Sequence, residues 1–518
     1  MRFFYKLVMV FVFAAALSVT GSPLFGFEAL AQKVPASNVG SPSSGIVALS
    51  EVEFLTAVSR ENESIRRQTL EMLIAKEGIE NAWGLFEPML EMSFAREYER
   101  EQNDADQAAI RSNESIYQRN DNVGSMGVSS LLPTGTSVEL VHELRDPSTS
   151  LQDSDQYGRQ REVKVGVAVS QPLLKNFGTN VNLTKVRIAE SEHKIAELHL
   201  DRARLIAVFK AGQSYYDMLL AQTKLTLEAE MLALAREIAG IVSKQVQEGR
   251  VPTSAIFRSE SSLARRKARY HFAEKAVRRS ASNIRQMLVG TSLATNSAIR
   301  VSNLLPELDL AGVYSEMSRK EVLENRPDYL AAKLELDLEG ERVEYADNQN
   351  FWDVSLDGEY GQTGMGRNWD DAYDKLGSGF EYWTVGATIS VPLGGGVSEE
   401  SALEAAKRRE DQASLSLTNL SGIIVDELET SRKEVGTAYD EAKGLARVVD
   451  FQRKVLEDGY KLFKQGRIAR SDLIVQEQEF IESELIMAEK LVEFKKAILT
   501  LWLAEGRLCT ACKISEGA

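Results

Sequence analysis

The chain has 518 residues, more than one compact core accommodates and enough for roughly three of about 150 residues each. With 43% hydrophobic residues, 26% charged residues and only 11 Pro it is neither a disordered nor a collagen-like polymer, and two Cys cannot build a disulfide scaffold. Its 61 Lys and Arg against 76 Asp and Glu leave a formal charge of −15, which repels nucleic-acid phosphate, and four scattered His argue against a histidine-rich metal enzyme.

At the N-terminus Arg2 and Lys6 precede an apolar run from Leu7 to Val19, too short to span a bilayer, followed by the small-residue pattern Ala29-Leu30-Ala31. This reads as a secretory signal peptide over 1–31. Residues 32–50, rich in Ser, Pro and Gly, read as a flexible leader. No later stretch offers about 18 uninterrupted apolar residues, so no transmembrane helix is expected, whereas the short strands of an outer-membrane barrel escape such a test.

From residue 51 the chain reads as two versions of one plan, 51–300 and 301–508, with a tail over 509–518. In the first, after an opening helix, Leu90, Met92, Phe94 and Tyr98 alternate with Glu91, Ser93 and Glu97; later Val163, Val165, Val167 and Val169 alternate with Lys164, Gly166, Ala168 and Ser170. Such alternation is the period-two pattern of a sheet lying between unlike environments. Between them Val123 to Leu132 and Thr136 to Leu144, joined through Pro133-Thr134-Gly135, form an extra hairpin peculiar to this half. We expect it to elaborate the extracellular end and leave four strands per chain in the main sheet.

A very long helix follows from near Asn180. Its apolar heptad, Ala211, Met218, Leu225, Leu232, Ala239 and Val246, leads to Gly249-Arg250 within a turn at 249–252; a return helix repeats Ile256, Leu263, Tyr270, Val277 and Ile284. A sustained seven-residue period marks helices packed as a left-handed coiled coil, and glycine suits the backbone angles that end a helix.

The second half repeats the device, with the strand and proline step 220 residues later and the helices and turn 217 residues later. Trp352, Val354, Leu356, Gly358 and Tyr360 alternate with Asp353, Ser355, Asp357 and Glu359; Trp383, Val385, Ala387, Ile389 and Val391 alternate with Thr384, Gly386, Thr388 and Ser390. Leu428, Val435, Ala442, Val449, Leu456 and Phe463 lead to Gly466-Arg467 in a turn at 466–469, and Leu473, Phe480, Met487, Phe494 and Leu501 lead back. An unbroken helix of about 65 residues reaches about 100 Å, far beyond the needs of a globular domain.

Taken in order, Ser170-Gln171-Pro172-Leu173-Leu174-Lys175-Asn176-Phe177-Gly178, Asn325-Arg326-Pro327-Asp328-Tyr329-Leu330, Ser390-Val391-Pro392-Leu393-Gly394-Gly395-Gly396 and the two Gly-Arg turns resemble the TolC-like outer-membrane efflux channel family. The resemblance spans about Leu49 to Leu508. It implies an α+β membrane channel: a homotrimer sharing one β-barrel, with a long coiled-coil tunnel reaching into the periplasm. It also implies a periplasmic adaptor and an inner-membrane pump or exporter as partners, with efflux or type I secretion as the task. Lipid would then face Val163, Val165, Val167, Trp352, Tyr360, Trp383 and Val385. The adaptor would meet Gly249, Arg250, Gly466 and Arg467. In the family the tunnel narrows beyond the second turn, where Asp472 holds the first acidic position, Val475 replaces the second, and Phe463 and Ile468 stand where a tyrosine and an arginine are found. Arg467 and Arg470 lie beside that arginine position. Asp472 also suits a helix N-terminal cap, which is compatible with an acidic ring.

Independent physics favours a shared barrel, because four or six strands are too few to close one and open edges in lipid are costly. Four strands from each of three chains give twelve, which is the expectation; counting the extra hairpin over 123–145 in the barrel would give eighteen. Enzyme chemistry finds no support: carboxylate pairs lie on helix faces, His193 and His199 are six apart, and Gly394-Gly395-Gly396 lacks the Lys-Ser/Thr of a phosphate loop. No cofactor, metal or nucleic acid is called for. Cys509 and Cys512 read as a local disulfide in an exported tail. The alternative to a channel is an exported coiled-coil spacer whose strands form an ordinary sheet.

Overall fold

A computed structural model of the chain describes residues 46–110, 115–150, 158, 160–293, 298–302, 305–315 and 317–511. The expected signal peptide, most of the leader, Cys512 and the rest of the tail beyond it lie outside these residues, so the signal peptide and the Cys509–Cys512 disulfide stay expectations.

In chain order the elements are β1 (Ile46–Leu49), α1 (Glu51–Glu61), α2 (Glu63–Trp83), β2 (Met89–Gln102), α3 (Ala105–Ile110), β3 (Ile116–Leu131), β4 (Ser137–Thr149), β5 (Arg161–Pro172) and α4 (Thr179–Asn182). There follow α5 (Thr184–Gln247), α6 (Ser254–Met287), β6 (Ala298–Val301), α7 (Arg319–Asn325), α8 (Pro327–Gln349), β7 (Asp353–Gly366) and α9 (Trp369–Asp374). The last are β8 (Glu381–Ser390), α10 (Val397–Lys464), α11 (Arg470–Ala504) and α12 (Leu508–Ala511). At 64 and 68 residues, α5 and α10 have the expected length of about 100 Å. The chain divides into two compact units. One holds Gly78–Ala189 and Glu339–Arg409; the other holds Ser41–Glu77, Glu190–Leu338 and Glu410–Ala518.

The first unit is built on a six-stranded sheet of order β2-β3-β4-β5-β7-β8, antiparallel throughout. Here the structure departs from the expected four strands. The extra hairpin, β3 and β4, sits inside the sheet, with β2 paired to β3 from Met89↔Ser129 to Gln102↔Ile116 and β4 paired to β5 from Ser137↔Ser170 to Arg145↔Glu162. Its turn also lies at the opposite end from the one expected. Leu131↔Ser137 is level with the start of β2, so Pro133-Thr134-Gly135 points toward the end where the helices join the sheet. There the Gly178 N–H donates to the Thr134 carbonyl at 3.1 Å, and Gly135, at φ 88°, packs so tightly that a Cβ would run into the Asn176 carbonyl and stand 2.8 Å from Asn182 Nδ2. Alternation in the sequence assigns each residue to a face but says nothing of which strand is its neighbour.

In the second unit the heptads do the packing. Ala211, Met218, Val435, Ala442, Leu473, Phe494 and Leu501 have essentially no exposed surface, and among all the heptad positions only Phe463, at the second turn, is exposed. Helix α11 is the hub. Its Val492 and Leu499 join a core with Val208, Ala211, Tyr215 and Met218 of α5, and its Phe494, Ile498 and Leu501 join another with Ile424, Leu428 and Val435 of α10. Helix α6 is peripheral: it buries only Ala273, Ala281 and Ile284 and leaves Phe257 and Phe272 about three-quarters exposed, at 73% and 75%.

The Asn325-Arg326-Pro327-Asp328 motif locks the α7–α8 junction onto the end of α11. Arg326 grips Asp328 through two bonds, Nε to Oδ1 at 2.9 Å and Nη2 to Oδ2 at 2.6 Å, while its Nη1 reaches Glu427 and the Ala504 carbonyl. Burial would push the Asp328 carboxyl up, but Arg326 and the nearby Arg202 outweigh it and hold it below the usual range.

Candidate functional site

Two regions carry the residues singled out by the sequence, one in each unit. In the sheet, cross-strand register decides which residues share a face. Val167 stands opposite Leu140 on one side and Tyr360 on the other, and Tyr360 stands opposite Trp383. Met92 faces Met126, which faces His142, which faces Val165. One face therefore gathers Leu90, Met92, Phe94, Met126, Val128, Leu140, Val165, Val167, Leu356, Tyr360, Trp383, Val385 and Ile389 across all six strands. Most of it lies open: Phe94 is 79% exposed and Trp383 70%, and Trp352, Tyr360 and Val385 are exposed as well.

Val163 corrects one expectation. It lies on this face but has no exposed surface, because α9 folds over it from the β7–β8 connection. Close approach is possible because Gly364 and Gly366 carry no side chain, where a Cβ would run into the backbone of Ala372. The His142 ring meets the Tyr373 hydroxyl at 2.8 Å, and the Arg161 guanidinium sits 5.3 Å from the Trp369 ring centroid. The face below α9, from Val167 toward the helix end, stays uncovered.

The opposite face is polar or small. Asp121 is fully buried between Arg119, at 2.6 Å, and Arg145, at 3.5 Å. Lys164 meets Glu359 at 3.2 Å and lies over the Tyr382 ring, whose hydroxyl end occupies the space above Gly166 and Gly361. Asp357 accepts from Ser170 at 2.5 Å and from Thr388 at 2.8 Å.

The second region is the pair of helical turns. Both close in the same way: the Gly249 N–H donates to Val246 and the Arg250 N–H to Gln245, and the Gly466 N–H donates to Phe463 and the Arg467 N–H to Leu462. This double bond with a glycine at positive φ, 72° and 69°, is the Schellman ending, and the second instance lies 217 residues after the first. Arg250 pairs with Glu248 at 3.1 Å.

Beyond the second turn Arg470 organises a network. Its Nε and Nη2 hold the two carboxylate oxygens of Glu237 on α5 at 2.7 and 3.0 Å, and its Nη1 reaches Glu477 at 3.0 Å. Tyr460 donates to the same Glu477 oxygen at 2.5 Å. Hydrogen bonding by Arg470 holds Glu237 below the usual carboxylate range, and the bond to Glu477 raises the Tyr460 phenol.

Asp472 acts as a cap, its carboxylate accepting from the Ala469 N–H at 3.4 Å; alanine offers no side-chain acceptor in return, so the reciprocal bond of a capping box is missing. Of the four residues named for a constriction, Arg470 lies inside the network, Asp472 beside it at the helix start, and Phe463 and Arg467 in the turn. Sequence reasoning missed Glu237, Glu477 and Tyr460. Tyr460, one helical turn before Phe463, was the available signal for a tyrosine near this place.

Among the described residues no cluster of three or more His, Cys, Asp or Glu could hold a metal, and no helix is long and apolar enough to cross a membrane. His193 pairs with Glu197 at 3.5 Å on its own helix.

No protein-family profile and no curated protein matches the sequence. Solved structures do resemble the fold. A membrane protein from Pseudomonas aeruginosa aligns with a TM-score of 0.62 at 16% identity, covering 91% of this chain and 95% of that one. The CmeC outer membrane channel of Campylobacter jejuni aligns at 0.61 and 15%, covering 88% and 86%, and the MtrE outer membrane channel of Neisseria gonorrhoeae, in its open state, at 0.59 and 15%, covering 88% and 89%. The chain therefore has the fold of the TolC-like outer-membrane channels, over nearly its whole described length.

Proposed function

We propose that the protein is the outer-membrane channel of a tripartite efflux or type I secretion system, a homotrimer that serves as a passive exit duct for small molecules or proteins. The observation that carries this reading is the apolar face shared by all six strands, most of it open in the single chain. Water would make such a face costly, at roughly 25 cal/mol per Å² of apolar surface, whereas lipid covers it at no cost. The polar opposite face then lines the lumen. The exposed Phe257 and Phe272 of α6 fit a helix that packs against a second copy.

In this reading the two Schellman turns lie at the periplasmic tips and meet an adaptor, whose pump supplies the energy. The Arg470–Glu237 contact holds the second hairpin to the first and keeps the tip narrow, and three Asp472 carboxylates ring the entrance. No residue is assigned a catalytic role and no cofactor is required. An exported spacer would leave Phe94 and Trp383 in water. The deciding experiment is migration of the protein from an outer-membrane fraction: a heat-modifiable trimer that conducts ions in planar bilayers is expected, and a water-soluble protein without conductance would refute the channel.

A further inference from the structure

Resting on that reading of the chain as a trimeric channel, we infer that three copies close a single eighteen-stranded barrel, pairing β8 of each copy with β2 of the partner subunit in one fixed register. In it Val385 stands opposite Phe94 of the partner subunit and Ile389 opposite Leu90 of the partner subunit. The extra hairpin is thus a barrel-widening insert.

The starting point is the continuity of the sheet. Strand β2 bonds to β3 along its whole length, from Met89 to Gln102, and not to β5, so no four-stranded subset can close without breaking those bonds. Strands β2 and β8 are the two edges, and both are exposed almost throughout. In lipid their unpaired N–H and C=O groups would each cost several kcal/mol, and closure is the way to satisfy them. With six alternating strands β2 leaves the helix end and β8 returns to it, so β8 meets β2 of the next copy antiparallel. Pairing β2 with β2, or β8 with β8, would require turning one copy over in the membrane.

Register follows from the stagger. Crossing the sheet perpendicular to the strands, Met89 is level with Ser129, Glu139, Ala168, Glu359 and Thr384. Strand β8 ends at Ser390, six residues beyond Thr384. Setting the helix-side ends of the two edge strands level places Ser390 beside Met89 of the partner subunit, and each copy then advances the stagger by six residues over its six strands. One residue of stagger per strand, at about 3.3 Å rise and 4.8 Å spacing, gives a tilt of about 35°, within the barrel range.

The same register also matches chemistry across the seam. Apolar faces coincide, with Ile389 on Leu90 and Val385 on Phe94, and Trp383 lies opposite Arg96, an indole against a guanidinium. On the lumen face Tyr382 lies opposite Glu97. A one-residue slip would put every edge side chain on the wrong face.

The test joins crosslinking to imaging, in full-length protein carrying Cys509→Ser and Cys512→Ser. Val385→Cys with Phe94→Cys, and separately Ile389→Cys with Leu90→Cys, should give a covalent trimer on oxidation. Val385→Cys with Tyr98→Cys, on the same face but four residues out of register, should give less than about a tenth of that yield. Projection images of the purified trimer should show a barrel about 34 Å across, against about 23 Å for twelve strands. A conducting trimer with the narrower barrel, or one that crosslinks only in a shifted register, overturns this inference and leaves the channel standing. Absence of any membrane-embedded oligomer overturns both.

Discussion

Arg470 and Glu237, 233 positions apart, meet through two parallel hydrogen bonds of 2.7 and 3.0 Å, and this contact ties the start of α11 to the flank of α5. The geometry is the bidentate guanidinium–carboxylate fork, stronger than a single-point pair, though both groups are partly open to solvent. Each contact is worth about 0.5–1 kcal/mol, so in the proposed trimer three of them would bias the tip by roughly ten- to hundredfold toward a narrow state. Prediction: Glu237→Gln and Arg470→Ala each raise single-channel conductance or open probability, and the double variant adds little to either single one. Additive effects in planar bilayers would mean the two residues act separately.

The same contact predicts an acid response. The Glu237 carboxyl is held below its ordinary value of 4.5, chiefly by its hydrogen bond to Arg470. A lowered pKa means the contact contributes fully above that ordinary value and is lost as pH falls through the bound value. The expected outcome is a channel that stays narrow at neutral pH and opens below about pH 4.5. Glu237→Gln should be open already and lack the acid step. An unchanged acid step in Glu237→Gln would show that the Arg470–Glu237 contact is not its source.

The long helices were legible because a heptad repeat states both the element and its buried stripe, and the alternating strands because period two states the face. What alternation leaves open is neighbour order. Val123 to Leu144 reads equally well as a separate hairpin or as the middle of the sheet, and only pairing of Met89 with Ser129 decides it. Val163 was placed on the correct face but not under α9, since a six-residue helix arising in a connection leaves no periodic mark. The Arg470 network joins helices more than two hundred residues apart, so no local spacing could reveal Glu237. Arg470 itself was named only because it stands near the position where the family has an arginine.

The apolar face gives a paired test. Val167 and Ala168 are adjacent on β5 and point to opposite faces, Val167 toward the open apolar side with Leu140 and Tyr360, Ala168 toward Glu139 and Glu359. Val167→Arg places a charge in the lipid and should cost about 2–4 kcal/mol near the midplane, with a matching loss of assembled oligomer. Ala168→Arg places the charge between two carboxylates and should be far milder. Equal loss of heat-modifiable oligomer in the two variants would contradict the assignment of faces.

Asp472 can be a cap, a ring charge or both, and these roles predict different losses. As a cap it accepts from Ala469 at 3.4 Å, a long bond whose removal costs about 0.5–1 kcal/mol at one end of a 35-residue helix. Helix α11 is also the hub of two cores, so that loss should barely alter assembly. As a ring, three carboxylates around one axis would raise the local cation concentration and bind a trivalent ion far more strongly than a monovalent one. Asp472→Asn keeps an acceptor for the Ala469 N–H and removes the charge, which separates the roles. The expected result is reduced cation selectivity and weaker block by a trivalent cation added from the tip side, with oligomer yield close to that of the unaltered protein. Should selectivity and block persist while the oligomer loosens, Asp472 is only a cap, and the Arg470 network is left as the constriction without an acidic ring.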